Sequence, residues 1–115
     1  MTSNFKNEVS LLDRRKESNK ILHKYPDRVP IICDTTDKTH PLDKNKFLVP
    51  CDFTVSQFVS IIRKRLKVDQ NTGIFLYVND NTLPPANELM CKIYNEYKDD
   101  DGFLYIRYNS ESTFG

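Results

Sequence analysis

The chain has 115 residues, enough for one domain around one hydrophobic core and too few for a second. Hydrophobic residues make up 38% of it and charged residues 29%, an ordinary globular composition, and no apolar run approaches the length that crosses a membrane. The net charge is only +1, but it is divided along the sequence: residues 1–67 carry fourteen Lys/Arg against eight Asp/Glu, and residues 68–115 carry three against eight.

Binding through phosphates calls for a basic excess over the whole domain, so nucleic acid is not expected and an acidic peptide suits the basic half better. Met1 to Phe5 holds no signal-peptide core, which predicts a cytoplasmic location. Cys33, Cys51 and Cys91 are far apart and include no Cys-x-x-Cys pair, which argues against a disulfide frame or a zinc site. His23 and His40 have no Cys or Ser neighbour and read as surface residues. No cofactor is expected, and no convergent set of titratable residues points to an enzyme.

In chain order, Phe5 and Val9 are four apart and fit a short helical turn. Ser10 to Lys24 reads as the first full helix, with Ser10 as cap, Asp13 at the third position and Tyr25-Pro26 as its end. Its apolar residues are Leu11, Leu12, Ile21 and Leu22, separated by Arg14, Arg15, Lys16, Lys20 and Lys24, so it is expected to lie on a surface and cover little core. Val29 to Cys33 reads as a strand with its proline near the start. Asp34 to Asp43 is a polar turn region, and Lys46 to Pro50 a short strand that forms an antiparallel hairpin with the first.

Thr54 to Lys67 carries the strongest helical signal. Thr54 and Gln57 make a capping box, Phe53 and Phe58 a hydrophobic staple, and Val55, Phe58, Val59, Ile62 and Leu66 follow the helical period. Arg63-Lys64-Arg65 and Lys67 sit where the helix dipole favours cations, and capping and solubility account for them as well as binding does. Ile74 to Val78 is a strand without polar alternation, either covered on both faces or exposing a docking surface. Asn79-Asp80-Asn81 and Pro84-Pro85 turn the chain, and Glu88 to Tyr97 reads as a short helix.

Asp99-Asp100-Asp101-Gly102 lacks the spacing of a calcium loop and reads as a solvated turn. Phe103 to Tyr108 is too apolar for a wet edge and reads as an interior strand. Asn109 to Ser112 are too polar to be packed, so residues 109–115 are expected to form a flexible tail ending in Gly115, whose unhindered carboxylate suits activation as an acyl group. Taken alone, the tail fits a chain that merely stops at a glycine better. From the first strand on, the order is a hairpin, a crossover helix, an edge strand, a short helix and a last strand. An α+β fold satisfies this order: a β-grasp sheet on one long helix, with the last strand beside the first.

Lys24 to Ile32, Lys46 to Pro50, Phe58 with Ile61 to Arg65, and Gly102 to Ile106 together resemble the GABARAP-like family of autophagy modifiers, over residues 14–115. The resemblance implies a ubiquitin-like β-grasp fold over residues 25–108, a helical extension over residues 1–24 and a conjugation tail over residues 109–115. It further implies that Gly115 is joined to phosphatidylethanolamine on autophagosomal membranes by activating and conjugating enzymes, and freed by a family cysteine protease. Cargo receptors would dock aromatic-x-x-aliphatic peptides as an added strand on the sheet edge. Matched one position at a time, the aromatic pocket falls on Glu17, Ile21, Pro30, Ile32, Lys46, Leu48 and Phe103. The aliphatic pocket falls on Phe47, Val49, Pro50, Phe53, Phe58 and Ile61. Arg28 and Arg65 would face acidic residues beside the peptide, and a second docking surface matches Ile74 to Val78.

The sequence departs from the GABARAP pattern in a shorter loop at Thr35 to Asp43, in Asn45 within a lysine run, in Gly102 for a bulky residue, and over its first ten residues. A second class of function fits the same fold: an unconjugated β-grasp adaptor that binds peptides or cytoskeleton, with its glycine tail idle.

Overall fold

The computed structural model describes residues 4–35, 40–79 and 81–112. Thr36 to Thr39 of the polar turn, Asp80 of the Asn79 to Asn81 turn, and Gly115 with the two residues before it lie outside the described residues.

The elements run α1 (Asn4–Glu8), α2 (Leu11–Lys24), β1 (Arg28–Asp34), β2 (Lys46–Pro50), α3 (Val55–Leu66), β3 (Thr72–Val78), α4 (Met90–Tyr97) and β4 (Leu104–Ser112). The four strands form one sheet in the order β2-β1-β4-β3. β1 is antiparallel to β2, with Val29 opposite Val49 and Ile31 opposite Phe47, and parallel to β4, with Ile31 opposite Leu104. β4 is antiparallel to β3, with Leu76 opposite Tyr108. The last strand therefore lies beside the first at the centre of a ubiquitin-like sheet, as its apolar sequence requires.

Strand alternation divides the sheet into two unlike faces. Val29, Ile31 and Cys33 of β1, Phe47 and Val49 of β2, Leu104, Ile106 and Tyr108 of β4, and Leu76 and Val78 of β3 all join the main core. α3 covers that face with Val55, Phe58 and Ile62, and α4 adds Met90 and Ile93. Phe58 and Ile62 are fully enclosed, a burial that contributes roughly 2–3 kcal/mol each. α3 starts where its capping box dictates: Thr54 Oγ1 accepts from the Gln57 amide, and Gln57 Oε1 accepts from the Thr54 amide. Lys67 ends it in the left-handed conformation, φ 56°, with its amide on the Arg63 carbonyl.

α2 is capped by Ser10, whose hydroxyl accepts from the Asp13 amide, and stops at Tyr25. It packs on the opposite face of the sheet through Arg14 and Ser18, its two buried residues, while Leu12 is 63% exposed. A helix can thus dock through polar groups when each of them finds a partner.

That docking corrects the reading of Asp99 to Asp101 as a solvated turn. Asp101 is only 1% exposed. Its Oδ2 accepts from Arg14 Nε at 2.8 Å and from the Tyr105 hydroxyl, and its Oδ1 accepts from the Phe103 amide at 2.8 Å. Its carbonyl accepts from Ser18 Oγ at 2.5 Å. The remaining Arg14 reach goes to α1 and the residue just after it, where Nη1 donates to the Lys6 and Val9 carbonyls at 3.2 and 2.6 Å. Gly102 follows at φ 91°, and a Cβ there would lie 2.4 Å from Ser18 Oγ, so glycine is what lets α2 approach.

Two further expectations change. Asn109 to Ser112 are not tail but strand, with Asn109 opposite Phe75 and Ser112 opposite Thr72, because β3 supplies backbone partners whatever the side-chain polarity. Ser110 Oγ lies 2.8 Å from Nδ1 of His40, and the His40 carbonyl accepts from the Tyr108 hydroxyl, so His40 is half-buried against β4 rather than a free surface residue. β3 is covered on one face and leaves Phe75 38% exposed on the other.

Candidate peptide-docking site

β2 is an outer strand of the sheet, bonded to β1 on one side. The Cys33 amide donates to the Asn45 carbonyl and the Cys51 amide to the Asp27 carbonyl, which sets the alternation between them. In that antiparallel register Phe47 and Val49 exchange backbone bonds with β1, and the backbone groups of Lys46 and Leu48 point outward. Pro50 closes the open stretch, since it has no amide to offer. The outer edge therefore presents room for one short extended segment.

Alternation also sends the β2 side chains to both faces. Lys46 and Leu48 lie with Pro30 and Ile32 on the α2 side, and Phe47 and Val49 lie on the α3 side. The two sets of residues matched to peptide pockets thus flank the same edge from opposite sides of the sheet.

On the α2 side, Pro30, Ile32 and Phe103 are buried and form the floor, while Ile21 and Leu48 are half-buried at the walls. Lys46 Nζ donates to Glu17 Oε1 at 2.9 Å, tying β2 to α2 across the mouth. Glu17 Oε2 is shielded and has no hydrogen-bond partner among the described residues, so the site holds a spare acceptor. Phe5 of α1 is the residue that the sequence reading left out of the site. It is 5% exposed, meets Phe103 edge-on with 5.4 Å between ring centroids, and has Lys46 Nζ at 4.9 Å from its ring. Phe5, Ile32 and Phe103 form a second apolar cluster, walled by Val9, Ile21 and Tyr105. Its signal in the sequence was the lone apolar pair Phe5 and Val9 in a polar stretch.

On the α3 side, Phe47, Val49 and Phe58 are buried parts of the main core, with Phe47 and Phe58 edge-to-face at 5.6 Å. Pro50, Phe53 and Ile61 are half-buried and form the accessible rim. Arg65 reaches over the Phe47 ring at 6.0 Å and holds Asp43 with Nη2 at 2.9 Å from each carboxylate oxygen. The hydrogen bond from Arg65 holds the Asp43 carboxyl below its ordinary value against the upward pull of desolvation. Arg28 is exposed, 5.6 Å from the Tyr25 ring. The two arginines thus stand at separate ends of β2, one of them already facing a carboxylate.

Among the described residues there is no group of three or more His, Cys, Asp or Glu arranged to hold a metal. Burial, then the Asp34 charge, pushes the Cys33 thiol far up, and burial also raises Cys51, helped by Cys91, Asp27 and Asp52. Neither is a ready nucleophile.

The family described as "Autophagy protein Atg8 ubiquitin like" matches residues 13–115. The Autophagy-related protein 8 of Schizosaccharomyces pombe is 50% identical over 117 residues, covering all of this chain and 96% of its own. That of Mycosarcoma maydis is 51% identical over 117 residues, covering all of this chain and 98% of its own. Among solved structures, Trypanosoma brucei ATG8 superposes with a TM-score of 0.90 at 43% identity over the whole of both chains. Plasmodium falciparum Atg8, in complex with a Plasmodium falciparum Atg3 peptide, superposes with a TM-score of 0.84 at 36% identity, over 97% of this chain and 98% of its own.

Proposed function

The chain belongs to the Atg8 family of ubiquitin-like autophagy proteins, and on that premise we propose that it is a lipid-conjugated modifier that recruits partners by adding their peptides to the outer edge of β2. It is a substrate of activating and conjugating enzymes rather than an enzyme. Its C-terminal Gly115 is joined through an amide to phosphatidylethanolamine on autophagosomal membranes and is released by a cysteine protease of the same system. Cargo receptors and autophagy factors supply aromatic-x-x-aliphatic segments, with the conjugating enzyme among the partners that dock this way.

The observation that supports this reading best is the open backbone of Lys46 and Leu48, flanked by half-buried apolar side chains on each face of the sheet. An added strand would gain main-chain hydrogen bonds from these two residues and send alternate side chains to the two faces. The aromatic residue enters on the α2 side among Ile21, Pro30, Ile32, Leu48 and Phe103, where the spare Glu17 Oε2 favours an indole N–H. The aliphatic residue meets Pro50, Phe53 and Ile61 on the α3 side. Acidic residues beside the motif face Arg28 and Arg65.

The test is reconstitution with activating and conjugating enzymes on liposomes containing phosphatidylethanolamine. The wild-type chain should become a membrane-sedimenting conjugate, and Gly115→Ala should not, while its fold and peptide affinity stay unchanged. A wild-type chain that remains unconjugated while still binding peptide would replace this reading with that of an unconjugated adaptor.

A further inference from the structure

Cys51 and Cys91 are far apart in the sequence and meet in the fold. The turn after β2 runs antiparallel to the segment that starts α4, with an isolated bridge between Thr54 and Leu89. Three backbone bonds hold the two segments together. The Val55 amide donates to the Glu88 carbonyl at 2.9 Å, the Met90 amide to the Phe53 carbonyl at 2.7 Å, and the Cys91 amide to the Cys51 carbonyl at 3.1 Å. We propose that Cys51 and Cys91 form a reversible disulfide, a peroxide-sensitive site that ties the corner between β2 and α3 to the first turn of α4.

A direct bond between backbone groups brings two Cα atoms to about 5–6 Å, inside the range of roughly 4.4–6.8 Å that a disulfide spans. Rotation of the side chains is then enough to close the bond, and the backbone need not move. Both thiols are free and half-buried, so a small oxidant reaches them and a dithiol can reduce the product. They are near enough to influence one another: after burial, the Cys91 charge is the next cause that raises the Cys51 thiol. Cys33 is no competitor, because it is enclosed and lies at the other end of the β1–β2 hairpin, beside Asn45, whereas Cys51 lies beside Asp27. In a reducing compartment a bond of this kind is transient and senses oxidant rather than framing the fold.

The raised Cys51 thiol is the poorer nucleophile, so the first step falls on Cys91. The Cys91 sulfur attacks one oxygen of hydrogen peroxide, the O–O bond breaks, and the second oxygen leaves with the thiol proton as water. The Cys91 sulfenic acid that results is then attacked by the Cys51 sulfur. Its S–O bond breaks, the S–S bond forms, and the hydroxyl leaves with the Cys51 proton as a second water. Two thiols are oxidised and one peroxide is reduced. The joint that this bond would tie is held by backbone alone: Leu89 gives α4 no side-chain cap, and the Met90 and Cys91 amides rely on the carbonyls of Phe53 and Cys51.

The test is oxidation of the full chain with a small excess of hydrogen peroxide, followed by alkylation in denaturant and mass spectrometry without reduction. The peptides that contain Cys51 and Cys91 should be joined within a monomer, with Cys33 left as the alkylated thiol, and a dithiol should restore all three. Cys51→Ser should instead leave a Cys91 sulfenic acid that dimedone traps. The oxidised wild type should melt about 5 °C higher or more, because the bond closes a long loop in the unfolded chain. Its Met90 and Cys91 amides should exchange with solvent about tenfold more slowly. Neither change should follow peroxide in Cys51→Ser or Cys91→Ser. Dimers, bonds to Cys33, or sulfinic acid at Cys51 or Cys91 with no bond between them would overturn the site. A bond that forms without slowing those two amides would overturn the tie to α4.

Discussion

Arg14 and Asp101 form an ion pair of 2.8 Å between α2 and the turn before β4, with the Asp101 side chain fully enclosed and that of Arg14 only 10% exposed. The pair stands because its spare valences are met by Tyr105, the Phe103 amide and the carbonyls of Lys6 and Val9. Such a pair adds little net stability over an apolar replacement, yet losing one partner leaves a buried charge alone. Asp101→Ala or Arg14→Ala should each cost about 3–5 kcal/mol in chemical denaturation. The double variant should cost less than the sum of the two, because the pair is removed together.

Gly102→Ala tests how closely α2 lies on that turn. The added Cβ meets Ser18 Oγ at 2.4 Å and Ser18 Cβ at 2.9 Å, and φ 91° is itself strained for alanine. A loss of about 1–3 kcal/mol follows from the backbone alone. Adding Ser18→Gly should recover the part due to the clash, which a denaturation comparison of the single and double variants will read.

Leu48 is half-buried on the exposed edge, so Leu48→Ala should separate binding from stability. Losing its side chain from a peptide-covered pocket removes roughly 1–3 kcal/mol. By calorimetric titration that is a five- to hundredfold weaker peptide, at ~1.4 kcal/mol per decade. The melting temperature should hardly change. Wild-type affinity would show that the pocket lies elsewhere.

Asp99 gives the fold a dependence on acid. Burial pulls its carboxyl upward, but the hydrogen bond from Lys6, the Asp101 amide and the charges of Lys6 and Arg14 outweigh it and hold the group below its ordinary 3.8. A carboxyl depressed in the folded state stabilises it above the unfolded value and loses that contribution as pH falls through the folded one. The stability difference between wild type and Asp99→Asn should therefore be constant near neutrality and vanish below both pKa values. Denaturation curves across that range measure it. A difference that grows in acid would show that Asp99 is not held in this way.

The thiols offer a probe of opening. Cys33 is enclosed on the α3 side of β1, and its raised pKa leaves almost no thiolate at neutral pH. Alkylation followed by mass spectrometry should leave Cys33 unmodified in the native protein and modify it once denaturant unfolds the chain. Rapid native labelling of Cys33 would mean that β1 opens from the sheet.

What could be read from the sequence was what neighbours in sequence encode. Thr54 and Gln57 announce the start of α3, the Phe58–Ile62 period its buried side, and the apolar Phe103 to Tyr108 a central strand, which begins at Leu104. The residues matched to peptide pockets rest on resemblance, and alternation along β2 explains why that set divides between two faces. Asp101 could not be read, because three aspartates before a glycine look solvated and the partner that changes this, Arg14, lies 87 residues away in a helix of surface composition. Asn109 to Ser112 looked like tail because polarity reports side-chain surroundings, whereas β3 holds them by their backbone. Phe5 carried only a faint local signal, and its surroundings are assembled from α2, β1, β2, β4 and Phe103 just before β4.

The parallel pairing of β1 with β4 also governs the order in which a growing chain can fold. Ile31 meets Leu104, so the two central strands are separated in sequence by every element from β2 to α4. During synthesis the β1–β2 hairpin and α3 emerge first and can associate, but the inner edge of β1 stays unpaired until β4 has left the ribosome. Long-range closure of this kind is slow, and an apolar strand edge left open meanwhile invites pairing with other chains. Translation rate and chaperone supply should therefore affect the yield of this small domain more than its size would lead one to expect.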